Sequence, residues 1–142
     1  MKIVINTRHG GFGLSAKAIH RLACRKHKPC YFFTFRCKDG RFCYIPFNDG
    51  YPTSTYPVAT RWAAFTVTDP DNPEHRREEI SLNEHLLERS DPDLVAVVEE
   101  MGKEANGEMA ELKVVDIPSG VDYIIQEECG AEWIAERHRI WS

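Results

Sequence analysis

The stretch Arg8-His9-Gly10-Gly11-Phe12-Gly13 lies between a β-branched run and Ser15, a favoured helix N-cap. At such a strand-to-helix turn, backbone amides can cradle an anion, and Arg8 and His9 would add positive charge. The spacing is neither Gly-x-Gly-x-x-Gly nor a P-loop, and no P-loop lysine precedes Ser15. Gly10, Gly11 and Gly13 equally suit a tight turn that needs positive φ and close packing. A second group, Tyr51, Tyr56, Arg61 and Trp62, has the side chains to stack a base and pair a phosphate, although aromatic residues in strands and loops also serve as core. A third, His138 and Arg139 beside Trp141, either reaches a site or docks the end of the chain.

Carboxylates gather in the last hairpin. A two-residue turn at Cys129-Gly130 sets Glu127 opposite Glu132, with Glu128 and Glu136 close by. Opposed like charges are unfavourable unless a cation or an arginine answers them, and Arg137 and Arg139 are near in sequence. The group reads as a metal or acid–base pair, or as a solvated acidic edge. No nucleophilic triad is legible: Ser15 is better explained as a cap, and no cysteine stands in a recognisable Cys/His context. Cys24, His27 and Cys30 fall short of the four paired ligands that structural zinc wants. No metal or cofactor is implied.

Composition narrows the field of partners. With 18 basic against 22 acidic residues in a chain of 142, no global field draws the protein to long nucleic acid or a membrane surface. Any anion site must be local. The run Lys2 to Asn6 is too short for the apolar core of a signal peptide, and no transmembrane run follows. Five cysteines, an odd number without Cys-x-x-Cys spacing, read as reduced thiols in a cytoplasmic protein.

The elements that must position these groups follow from period and punctuation. Lys2 to Asn6 is a short buried strand and Ala16 to Arg25 a helix, with Leu14, Ala18 and Leu22 on one stripe and basic residues at its C-terminal end. Tyr31 to Lys38 and Arg41 to Phe47 flank Asp39-Gly40, a type I′ hairpin signal that places Lys38 opposite Arg41. Both faces of that hairpin are largely apolar. One therefore needs a second cover, either the long loop Asn48 to Arg61 or another copy of the chain. A strand from Trp62 to Thr68 follows, and Ser81 and Glu84 have capping-box spacing for a short helix to Leu87.

Asp91-Pro92 starts a second helix with Leu94, Val98, Met101 and Ala105 as its stripe, a Glu99–Lys103 pair on the wet face, and Asn106-Gly107 as its C-cap. Glu111 to Ile117 is a strand, and Val121 to Glu128 with Ala131 to His138 a second hairpin. The expectation is an α+β protein, one domain over residues 1–142, with two antiparallel hairpins, an N-terminal β-loop-α unit and one central amphipathic helix.

Lys2-Ile3-Val4-Ile5-Asn6 with Gly10-Gly11-Phe12-Gly13-Leu14-Ser15, and later Asp91-Pro92-Asp93-Leu94-Val95, Glu104-Ala105-Asn106-Gly107 and His138-Arg139-Ile140-Trp141, together resemble a group of small accessory proteins of tailed phages and prophages. The match spans the N-terminal quarter and C-terminal third, while Lys26 to Leu87 departs from it. The resemblance implies a phage gene expressed in a bacterial cytoplasm, and it carries over no catalytic residues. By analogy it implies a non-enzymatic homo-oligomer that sequesters a nucleotide-like small molecule, such as a cyclic nucleotide or ADP-ribose-type immune signal. The alternatives are an inhibitor or adaptor of a host protein, and a metal-assisted phosphodiester hydrolase using Glu127, Glu128, Glu132 and His138.

Overall fold

The computed structural model describes residues 1–52, 62–80 and 88–137. In chain order it contains β1 (Lys2–Asn6), α1 (Ala16–Arg25), β2 (Tyr31–Lys38), β3 (Arg41–Pro46), β4 (Trp62–Phe65), a 3-10 helix (Pro73–Glu78), α2 (Pro92–Met101), a 3-10 helix (Gly102–Ala105), β5 (Leu112–Asp116), β6 (Tyr123–Glu128) and β7 (Ala131–Glu136). This is the expected mixed α+β architecture, with antiparallel hairpins and a central helix. The proposed helix at Ser81 to Leu87 lies outside the described residues.

Among the described residues the strands form three small antiparallel sheets: β1 with β5, β2 between β3 and β4, and the β6–β7 hairpin. Both hairpin turns place two successive residues at positive φ, Asp39 and Gly40 at 53° and 75°, Cys129 and Gly130 at 50° and 88°. Such turns match the right-handed twist of the flanking strands, and so set the register. Lys38 pairs Arg41, and Glu127 pairs Glu132, as the turn chemistry requires.

The two faces of the three-stranded sheet enter two separate apolar clusters. Phe32 and Ala64, with Trp62 and Phe47 beside them, pack with α1 and α2 through Ile19, Leu22, Leu94 and Val98. Phe33, Ala63 and Phe65 form the other cluster with Phe35, Tyr44 and Val67. Phe33 and Phe65 are each only 2% exposed, so the centre of the second face is closed within one chain.

The helix ends follow cap chemistry. Ser15 Oγ accepts from Ala18 N at 3.2 Å, and Asp91 Oδ1 accepts from Asp93 N at 2.8 Å. The basic end of α1 meets the acidic start of α2, Arg25 with Asp93 and Lys26 with Asp91 and Asp93, while Arg21 reaches Glu100. These cations therefore already have partners. The stripe Leu94, Val98, Met101 and Ala105 is buried as expected, but α2 ends at Met101 rather than at Asn106. Gly102, at φ 57°, breaks it and a 3-10 turn carries the chain on. Glu99 consequently pairs with Lys2 of β1 at 3.0 Å instead of with Lys103.

Candidate functional site

Asn6, fully buried, ties the start of the glycine loop to two distant segments. Its Nδ2 donates to Arg8 O and Gly130 O at 2.7 and 2.8 Å, and its Oδ1 accepts from Glu111 N at 2.8 Å. Gly10 and Gly11, at φ 126° and 107°, then lie directly under the β6–β7 turn, with Gly10 N donating to Cys129 O at 3.0 Å. A Cβ on Gly130 would stand 2.3 Å from Gly11 N, and one on Gly107 would stand 2.8 Å from the Gly13 carbonyl carbon. Positive φ at both positions suits glycine at 10 and 11, and a Cβ on Gly10 would also stand 2.9 Å from Met109, whereas one on Gly13 would meet only Gly107 Cα at 3.9 Å. Arg8 and His9 are exposed on the same loop and join no ion pair among the described residues.

The acidic hairpin holds the residue pair that the sequence did not reveal. Glu132 is buried, and Arg89 meets it with a two-pronged contact, Nη1 to Oε1 at 2.7 Å and Nη2 to Oε2 at 2.9 Å. Glu132 Oε1 also accepts from Asn6 N at 2.8 Å, while Val4 N donates to Arg89 O at 2.9 Å. The pair thereby satisfies the edge of β1 that faces away from β5. The guanidinium carbon lies 3.6 Å from the centre of the Phe12 ring, adding a cation–π contact. Opposition of Glu127 and Glu132 had required a cation, and Arg89 supplies it to Glu132, while Arg137 lies 3.9 Å from Asp122 and Arg139 is outside the described residues. With Glu132 so engaged, it is not an open ligand, and no group of three His, Cys, Asp or Glu suited to a metal exists among the described residues.

Two cavities flank the aromatic stretch around Tyr51. The larger, about 610 Å³, is lined by His20 of α1, Phe32 and Tyr31 of β2, Phe47, Asn48, Tyr51 and others. His20, Phe32 and Tyr51 form a ring triangle, with centroids 5.8 to 6.5 Å apart, and Trp62 lies edge-on to Phe32 at 5.9 Å. Its volume falls in the range of small-molecule sites. The second, about 350 Å³, is lined by Gly13 to Ala16 at the start of α1, by Pro52 and Trp62, and by Asn106 to Met109. The end of the glycine loop and the flanks of the aromatic loop therefore meet across one cavity. Tyr56, Arg61, His138 and Arg139 lie outside the described residues. Gly10, Gly11, Arg8 and His9 line neither cavity.

His20, absent from the candidates read in the sequence, joins the larger cavity because α1 presents it one turn from Cys24, whose Sγ is 3.9 Å from His20 Nδ1. All five cysteines are free thiols. Burial, with Cys24 nearby, pushes the Cys30 thiol up to about 11, so it carries almost no thiolate at neutral pH. Iodoacetamide at pH 7.5 should accordingly label exposed Cys24, Cys37 and Cys129 first and spare Cys30 until the chain is unfolded. Peptide mass mapping that finds Cys30 labelled as fast as Cys24 would contradict the burial.

The fold and cavities define a small α+β protein with an aromatic, ligand-sized cleft between a helix and a sheet. Comparison with family models, curated proteins and solved structures found no match.

Proposed function

We propose that the protein binds an anionic, base-containing small molecule of the nucleotide type and acts by sequestering it. The observation that carries this reading is the pair of cavities on either side of the Tyr51–Pro52 corner. One is walled by the His20, Phe32 and Tyr51 rings, the other by the amino end of α1. A base would stack in the first, where every base has a π-face to offer. A phosphate would lie in the second, toward the helix end that favours anions. Glu108 on the rim of that cavity opposes an anion, which makes Arg61, next to Trp62 in sequence, the cation this reading needs.

The resemblance to phage accessory proteins adds the setting, a cyclic nucleotide or ADP-ribose derivative used as a host immune signal, captured by a homo-oligomer. Native mass spectrometry with a panel of cyclic nucleotides and ADP-ribose derivatives tests both ligand and stoichiometry. One nucleotide per site on a discrete oligomer is expected, with Tyr51→Ala and Arg61→Ala each weakening binding about tenfold or more. A chain that ignores the whole panel would refute the proposal. It would redirect the search to a protein partner, the reading that exposed Trp133 on the acidic hairpin favours.

A further inference from the structure

On the opposite face of the three-stranded sheet, a cavity of about 390 Å³ is lined by Tyr44, Phe65, Pro70, Asp71, Arg76 and Glu79. We propose that this cavity is a second binding site, for a small zwitterion of the free amino-acid type. Its carboxylate would face Arg76, its ammonium Asp71 and Glu79, and its apolar side chain the ring of Tyr44, which is backed by buried Phe65.

Three observations carry the assignment. The wall holds both signs of charge, yet among the described residues no ion pair within 4.0 Å joins Arg76 to Asp71 or to Glu79. Opposite charges held apart across a cavity leave room for a ligand that answers both. The charges are also carried on fixed backbone. Asp71 Oδ1 accepts from Tyr44 N at 3.2 Å, at the edge of the sheet. Arg76 sits on the 3-10 helix Pro73–Glu78, capped by Asn72 and clamped by His75 Nδ1 to Asp69 Oδ1 at 2.7 Å. Glu79 bridges Phe65, between the bonds Thr66 N to Glu78 O and Ile80 N to Ala64 O.

The third observation is the floor. Half-buried Tyr44 lies edge-on against Phe65, itself only 2% exposed, with ring centroids 5.0 Å apart, so a firmly backed Tyr44 ring is the apolar surface that suits a hydrophobic side chain beside an ammonium. Burial, then Glu79 and Asp71, push the Tyr44 phenol up against the opposing pull of Arg76, so its hydroxyl stays a donor. Arg76, Asp71 and Glu79 are exposed side chains, and replacing one is compatible with folding.

Amide chemical shifts of the full chain, titrated with L-leucine, L-phenylalanine and their singly charged analogues isoamylamine and hydrocinnamate, test the site. Saturable shifts confined to residues 44, 65–71 and 76–80 are expected for the amino acids, with the analogues at least about tenfold weaker. Arg76→Gln and Asp71→Asn should each lower affinity by about tenfold while leaving the thermal melt unchanged. The absence of saturable shifts up to about 10 mM ligand, a weak affinity near 2.7 kcal/mol, would overturn the proposal. So would an amine-only or carboxylate-only analogue that binds as tightly as the amino acid. Nucleotide binding at the Tyr51 side of the sheet is read separately in the same spectra.

Discussion

Replacing Glu132 by alanine is expected to destabilise the protein by about 3–5 kcal/mol, because it takes from the buried Arg89 guanidinium its two-pronged carboxylate partner. Arg89 and Glu132 side chains are 6% and 2% exposed, and the same carboxylate receives the Asn6 amide. Two losses therefore add: the guanidinium's bidentate carboxylate and the acceptor of a strand-edge N–H. Glu132→Gln keeps an acceptor for Asn6 and should cost less than Glu132→Ala. Arg89→Ala should be nearly as damaging as Glu132→Ala, and the double variant less damaging than the sum of the singles. Urea denaturation followed by circular dichroism reads all four. A Glu132→Ala loss below about 1 kcal/mol would mean that water or another group replaces the pair.

Gly130→Ala is expected to cost about 2–5 kcal/mol and to loosen the β6–β7 hairpin from the glycine loop, since two penalties coincide there. The residue sits at φ 88°, and a Cβ would meet backbone atoms of Gly10 and Gly11 at 2.3 to 2.9 Å, with no flexible side chain to give way. Gly120→Ala is the control. It shares a positive φ, 83°, but faces open space, so only the conformational penalty of about 1 kcal/mol remains. Equal losses at the two positions would show that conformation alone, not the seating of the turn on the loop, sets the effect. Hydrogen exchange at Gly10 N, which donates to Cys129 O, reports the loosening directly.

Much of the architecture was legible because it is decided locally. Asp39-Gly40 and Cys129-Gly130 dictate their turns and hence two registers, and Ser15 and Asp91-Pro92 dictate where two helices begin. Hydrophobic alternation in Tyr31 to Phe47 correctly anticipated two apolar faces, which became two clusters. The end of α2 was misread because Asn106-Gly107 looks like a C-cap, whereas Gly102 already sits at positive φ and stops the helix.

The candidate sites were less legible, for a physical reason. Residue types announce a possible chemistry, such as glycines for an anion, aromatics for a base or paired carboxylates for a metal, but only neighbours through space decide whether that chemistry is already satisfied. Glu132 belongs to an acidic hairpin by sequence and to Arg89, 43 residues away, by contact. Gly10 and Gly11 could cradle an anion by composition, yet they receive the turn at Gly130. His20 became a cavity residue only when α1 packed across Phe32 and Tyr51. What the sequence by itself determined, then, was turns, helix starts, strand registers and the α+β class, all set by interactions within a few residues. The tertiary structure alone decided which charges are spent on one another and which remain facing a cavity, because desolvation and pairing depend on segments that meet only in the folded chain.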